Sequence, residues 1–308
     1  MNMNFADRLL AAIDKKKTPL IVGLDPVYES LPSAVTSRCG GNDPTARVEA
    51  ILQFARCVLG AVAPHVPAVK INSAYFERYH WRGVQAYIHL IQQAKALGLL
   101  VIGDVKRADI GHTAAQYAQA ALADSEFTDG DKFMGPDAIT INPYFGFDGV
   151  APFLDVARRQ DKGVFVLLRT SNASAGEIQE IPTADGRPLF MHTAGLIGLW
   201  GRDLIGAHGW SSVGAVVGAT SGESIARLRR VMPHTPFLIP GIGAQNGSLT
   251  DCAPAFRHGA GAVISASRSI IFAYRESPYQ HLPPEDWIQA VEQATLRTKT
   301  QIAAVLDL

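Results

Sequence analysis

Residues 100–113 read LVIGDVKRADIGHT. A short apolar run, 100–105, breaks into charged residues and then into a helical pattern over 112–124. An apolar run of that length, bounded by polar residues, reads as a buried strand, and a strand leading into a helix is the repeating unit of parallel α/β folds. Side chains two apart on a strand share a face. Ile102, Asp104 and Lys106 therefore point one way, and Gly103 and Val105 the other.

The same unit recurs along the chain. Further strands are expected at 20–24, 68–72, 138–142, 163–168, 213–218, 236–240 and 262–266. Helical patterns at 47–62, 82–97, 149–159, 193–205, 221–231 and 251–258 separate them, and a closing helix covers 284–305. Strand and helix in alternation predict an α/β fold, specifically a single-domain (β/α)8 TIM barrel spanning 1–308. A doubly wound open sheet is the alternative. Its GxGxxG turn after the first strand is absent, since that strand ends in Gly23-Leu24-Asp25-Pro26. Two stretches near 27–44 and 172–192 are rich in Gly, Pro, Ser, Asp and Asn and read as long loops, the second a candidate lid.

Composition narrows the class. The 308 residues carry 28 basic and 28 acidic side chains, so nothing in the bulk charge attracts nucleic acid or an anionic membrane. Cys39, Cys57 and Cys252 are odd in number and lack metal-like or disulfide-like spacing, which fits a reducing cytoplasm. At the amino terminus the basic cluster follows the short apolar stretch, as in an amphipathic helix and unlike a secretory signal. No apolar run approaches the roughly 20 residues needed to span a bilayer.

In a barrel the active site lies at the carboxyl ends of the strands. Asp25 ends the first strand, Lys70 and Asn72 the second, Asp104 and Lys106 the third, and Thr140 and Asn142 the fourth. With Val69, Ile71, Val105, Ile139 and Ile141 turned to the helices, each polar pair faces the mouth. A lone Asp-x-Lys is usually a structural ion pair. Four adjacent strands repeating the pattern point to a site, because desolvating several charges costs several kcal/mol each.

The spacing Asp104-x-Lys106-x-x-Asp109-Ile110, followed by Thr113, resembles the active-site segment of orotidine 5′-phosphate decarboxylases. The resemblance extends to Leu24-Asp25-Pro26, Val69-Lys70-Ile71-Asn72, Thr170-Ser171-Asn172, the turn PGIGAQ at 240–245 and Ser265-Ala266-Ser267-Arg268. The longer chain and the last loop motifs look like the second, more divergent branch of that family. Ala173 and Asn246 stand where proline and glycine are expected.

The resemblance implies conversion of orotidine monophosphate to uridine monophosphate and CO2 in de novo pyrimidine biosynthesis, with no metal and no cofactor. Lys106 would supply the proton to C6 of the pyrimidine, and Asp104 would lie beside the departing carboxylate. Lys70 and Asp25 would contact the ribose hydroxyls and the charge network, with Asn72 beside them. Asp109 and Thr113 would reach the neighbouring subunit's site, which makes a homodimer part of the design. The chemistry suits those residue types, since loss of CO2 leaves a poorly delocalised carbanion that a fixed ammonium can stabilise and then protonate.

For the phosphate, the sequence offers Gly241-Ile242-Gly243 after the seventh strand, with Gln245 beyond, and Ser267-Arg268 after the eighth. Loops at those two strands are a recurrent phosphate position in barrels. Ser171 is the candidate for reading the pyrimidine amide, with Thr170 and Asn172 as companions or merely a polar turn. His112 and Ser221 read as helix starts, and Tyr75, Phe76, Tyr79 and Trp81 as packing. Competing functions remain: a Schiff-base aldolase or transaldolase, a Mg-dependent sugar-phosphate decarboxylase, or a phosphate-ligand-binding barrel without turnover.

Overall fold

A computed structural model describes residues 3–39, 43–126, 132–219, 221–241 and 248–306. Eight parallel strands close into a barrel in sequence order: β1 (Leu20–Leu24), β2 (Ala68–Asn72), β3 (Leu100–Arg107), β4 (Ala138–Ile141), β5 (Gly163–Arg169), β6 (Val213–Val217), β7 (Phe237–Pro240) and β8 (Ala262–Ala266), which pairs back with β1. Around it lie α2 (Pro44–Val62), α3 (His80–Ala96), α4 (Gly111–Ala121), α5 (Phe147–Arg159), α6 (Leu189–Gly201), α7 (Gly222–Val231) and α8 (Trp287–Leu306), after an initial α1 (Phe5–Lys16). The expected single-domain (β/α)8 barrel is what forms.

Strand parity divides the interior into two cores. Val69, Ile71, Val105, Ile139 and Ile141 pack with the helices in one cluster, as the alternation requires. Ile21, Ala68, Ile102, Ala138, Phe165, Val216, Leu238 and Val263 fill the barrel. Phe5 and Leu9 of α1 join that inner cluster, and the Phe5 ring stands edge-on to Phe165 at 5.9 Å. Asn4 starts α1 by accepting the Asp7 N–H at 2.9 Å, with Asp7 in the first turn and Lys15 and Lys16 in the last, all favourable to the helix dipole. One end of the barrel is thus plugged with apolar side chains, leaving the other for polar chemistry.

Several boundaries depart from the sequence reading. The two expected loops are partly helical, with one-turn elements at Tyr28–Ser30, Ser33–Thr36, Ala173–Ala175 and Gly176–Gln179. α6 begins at Leu189 because Pro188, extended at ψ 148°, sets up the first turn. The helix expected at 251–258 is a turn, Leu249–Cys252, followed by a 3-10 turn at Ala253–Ala255, where Pro254 has no N–H to continue an α-helix. A small antiparallel pair, Ser125–Glu126 with Lys132–Phe133, went unforeseen. Trp81 is not packing: it is 64% exposed and stacks on Arg82, whose guanidinium lies 4.3 Å from the ring centre. Ser221 caps α7, accepting the Ser224 N–H.

Candidate active site

At the carboxyl end of the barrel, β2, β3 and β4 bring their inward polar residues into one chain of contacts. Lys70 Nζ donates to Asp104 Oδ2 at 2.9 Å, and Lys106 Nζ to Asp104 Oδ1 at 2.6 Å. The Thr140 hydroxyl donates to the same Oδ1 at 2.8 Å and accepts the backbone N–H of Lys106 at 3.0 Å. Asp25, from the end of β1, lies 3.9 Å from Lys70 Nζ. Side-chain exposure grades along the row, 8% at Lys70, 9% at Asp104 and 49% at Lys106, so Lys106 is the member open to a ligand.

Lys106 reaches that position through a distortion of β3. Gly103 stands opposite Ile139 and Arg107 opposite Ile141, so β3 runs through two more residues than β4 over the same stretch. Within the bulge Lys106 takes a left-handed backbone, φ +46°, which costs a non-glycine residue about 1 kcal/mol. The Thr140 hydroxyl, gripping the Lys106 N–H, helps to hold it there.

The electrostatics are those of a closed charge set. Burial by itself pushes Asp104 up, but the ammonium groups of Lys70 and Lys106 outweigh it and hold the carboxyl well below the usual carboxylate range. Burial likewise pulls Lys70 down, yet Asp104 and then Asp25 reverse the direction and raise it. Both groups stay charged at neutral pH. Removing one would strand a buried charge, at a cost of about 3–5 kcal/mol.

On the β1 and β8 side, among the described residues, three buried polar atoms, Asp25 Oδ1, Ser265 Oγ and Ser267 Oγ, make no hydrogen bond, although Asp25 Oδ1 keeps its ion pair with Lys70. Strand parity turns Ser265 inward with Val263, and the approach is close, since a Cβ on Gly23 would sit 2.8 Å from Ser267 Cβ. Ser265 was quoted in a motif but not expected as a site residue. Its signal is two-residue periodicity with Val263. Arg268 is exposed at the start of a single turn, Arg268–Ile271. Gly241 has φ +94° just past β7, a conformation that suits glycine, while Gly243 and Gln245 lie outside the described residues.

Other expected residues are engaged locally. Asn72 Oδ1 accepts the Ala74 N–H at 3.2 Å, and Asn142, just beyond β4, accepts the Tyr144 N–H at 3.0 Å. Thr170 donates its hydroxyl to Asn172 Oδ1 at 2.6 Å, and both its hydroxyl and its N–H are held by the Gln179 amide. Gln179 was missed, because nothing in local sequence ties it to residue 170. Thr170 and exposed Asn172 thereby anchor a loop, and Ser171 packs against Gly218, just past β6, where an added Cβ would sit 3.0 Å from the Ser171 Cβ. A cavity of about 470 Å3 opens beside this segment, lined in part by Asn142, Leu167, Thr170, Gln179, Phe190 and Trp200. A larger one, about 650 Å3, lies against α1 at the plugged end, away from the charges, so size does not mark the site.

Asp109 and Thr113 stand apart from the row. Asp109 Oδ1 accepts the Ile110 N–H at 2.8 Å, and half-buried Thr113 lies in the first turn of α4, beside exposed His112. Among the described residues no three His, Cys, Asp or Glu side chains gather as a metal site would require, and no helix is long and apolar enough to cross a membrane.

The chain is similar to known proteins over nearly its whole length. Residues 18–277 match the family described as Orotidine 5′-phosphate decarboxylase / HUMPS family. An orotidine 5′-phosphate decarboxylase of Rhodopirellula baltica is 39% identical over 302 residues, 97% of this chain and 99% of the relative. One from Caldicellulosiruptor bescii is 38% identical over 310 residues, 99% of this chain and all of the relative. The solved structure of Leishmania donovani OMP decarboxylase superposes with TM-score 0.73 at 29% identity, covering 99% of this chain and 100% of that one. With the barrel, the lysine and carboxylate row at its mouth and this agreement over nearly its whole length, the chain belongs to the orotidine 5′-phosphate decarboxylase / HUMPS family, as an enzyme of carboxy-lyase type.

Proposed function

We propose that this chain converts orotidine monophosphate to uridine monophosphate and CO2, without a metal, as a step of pyrimidine biosynthesis in the cytoplasm. The observation that carries the reading is the row in which one charged carboxylate, Asp104, is held between two ammonium groups, with Lys106 on the open side. The bond between C6 and the carboxylate breaks, CO2 leaves, and the electron pair left on C6 takes a proton from Lys106 Nζ. Solvent then restores that proton. Asp104 lies beside the substrate carboxylate and orients Lys106, while Lys70 and Asp25 meet the ribose hydroxyls.

Magnitudes require more than the charge row. A single pair at about 4 Å is worth about 4 kcal/mol at an effective dielectric near 20, whereas enzymes lower barriers by about 8–23 kcal/mol. Remote binding energy supplies the difference, and the phosphate is its largest source. Ser267, Arg268, the glycines at 241 and 243 and Gln245 are assigned to it, with Ser171 reading the pyrimidine amide. The buried atoms of Asp25, Ser265 and Ser267 that make no hydrogen bond support the ribose and phosphate side, since an unmet buried polar group costs about 1–3 kcal/mol that a ligand can recover.

Lys106→Ala is expected to leave a folded chain that still binds uridine monophosphate while decarboxylation, followed by loss of orotate absorbance in the presence of a chelator, falls by at least about a thousandfold. Near-normal turnover of the variant would remove Lys106 as proton donor. Trapping of a Lys106 adduct by borohydride would favour a Schiff-base aldolase instead.

The assembly we propose is a homodimer in which Asp109 and Thr113 serve the partner's site. Support comes from exposed apolar side chains around Asp109: Ile110, Tyr144, Phe145 and Phe147. Gly149 joins the two loops, since a Cβ there would sit 2.8 Å from the Asp109 carbonyl oxygen and 2.9 Å from Phe145 Cβ. Clustered apolar exposure of that kind marks an interface.

A further inference from the structure

Lys106 is flanked by a second ion pair that the decarboxylation reading leaves unused. The next residue, Arg107, pairs its Nη2 with Glu77 Oε1 and donates Nη1 to the Val105 carbonyl at 3.2 Å. Its guanidinium also lies 5.9 Å from the centre of the Tyr117 ring on α4, and its own carbonyl accepts the Asn142 N–H at 3.0 Å. Glu77 closes a one-turn helix, Ala74–Glu77, that follows directly from β2, the strand carrying Lys70. The Ser73 N–H at the head of that turn donates to the Asp104 carbonyl at 3.3 Å.

These contacts clamp both polar atoms of the peptide group that leads into the left-handed residue. Thr140 holds the N–H of Lys106, and Arg107 holds the carbonyl of the residue before it. Arg107 is also a third cation beside an array in which Asp104 and Asp25 balance Lys70 and Lys106. Without Glu77, its charge would oppose that of Lys106 and compete for Asp104. Arg is suited to this task and Lys is not, because only the planar fork reaches a carboxylate and a carbonyl at once.

We infer that Glu77 and Arg107 form a positioning pair that fixes the bulge at the end of β3 and so aims Lys106 Nζ. The inference rests on the role of Lys106 proposed above. The pair acts through Lys106 and is assigned no contact with the reacting atoms. It ties the exits of β2 and β3 together, so the two lysines on either side of Asp104 are held by one rigid connection.

The test compares Glu77→Gln, Arg107→Gln, Arg107→Lys and the double variant Glu77→Gln/Arg107→Gln with the wild type. Each single neutralisation is expected to lower kcat for orotidine monophosphate about 10- to 100-fold, as small misplacements of a reacting group do. KM should stay within about threefold, because ground-state binding is untouched. The double variant should be no slower than the slower single one, since the two residues act as a unit. Arg107→Lys should recover thermal stability but not kcat. A second readout is independent of turnover: amine labelling of Lys106 by trinitrobenzenesulfonate, read by peptide mass spectrometry, should quicken in Glu77→Gln while exposed Lys132 labels at the wild-type rate. Unchanged kcat in both single variants, or kcat losses that merely follow thermal stability, would overturn the inference, as would unchanged Lys106 labelling. If the wild type itself releases no CO2, the proposed function fails, and the labelling comparison alone decides the positioning role.

Discussion

Thr140 shows how much a single hydroxyl can hold together. It gives its proton to Asp104 and accepts the N–H of Lys106, linking the central carboxylate to the backbone of the strained residue beside it. The charged row itself was legible, because once the apolar Val69, Ile71, Val105, Ile139 and Ile141 face the helices, strand parity turns Lys70, Asp104, Lys106 and Thr140 toward the mouth. The bulge, the left-handed Lys106, the Gln179 clamp and the Arg107 pair were not, because each depends on which atom of one strand or loop meets which atom of another. The row also has a pH signature. Asp104 keeps its charge in the fold to lower pH than in the unfolded chain, so its stabilisation is complete above about 3.9 and fades as pH falls through its depressed folded value. Lys70 is shifted upward, so its contribution is complete below about 10.4 and fades as pH rises through its raised folded value. Thermal melts of wild type and Asp104→Asn should therefore differ by a constant amount between those limits and converge in strong acid. A gap that widens on acidification would contradict the charged row.

Among the elements, α1 is the one whose role the amphipathic pattern could suggest but not locate. The sequence reading recognised a helix at the amino terminus. Its destination, the end of the barrel that it plugs, follows from shape: Gly163 at the start of β5 leaves room for the Phe5 ring, and a Cβ there would come within 2.2 Å of it. Strands were legible as short apolar runs, and their ends moved by only a residue or two. The short helical turns were not, since one turn of helix has too few residues to show a period. Phe5→Ala is expected to destabilise the fold by about 3–5 kcal/mol, the usual cost of removing a buried aromatic ring. Because Phe5 sits at the plugged end, kcat and KM measured well below the melting temperature should match wild type. A selective loss of kcat without a fall in melting temperature would mean that the two ends of the barrel are coupled.

At the scale of the whole molecule, the barrel separates its two needs, with apolar packing closing one end and charge concentrated at the other. The charged end carries the rim of exposed Ile110, Tyr144, Phe145 and Phe147, next to an Asp109 that takes no part in its own row. Sequence alone placed Asp109 in the motif, but no pattern within one chain states which site it serves. If it serves the partner's, each site draws Lys106 from one chain and Asp109 from the other. Two inactive variants, Lys106→Ala and Asp109→Ala, then complement when mixed, because a mixed dimer contains one site with both defects and one with neither. Random pairing makes half of all dimers mixed, so about a quarter of the wild-type sites should reappear in a twofold-symmetric assembly. Unfolding and refolding the variants together would exchange the chains, and CO2 release would count the restored sites. No recovery, with mixed dimers verified by mass, would place Asp109 and Lys106 in the site of the same chain.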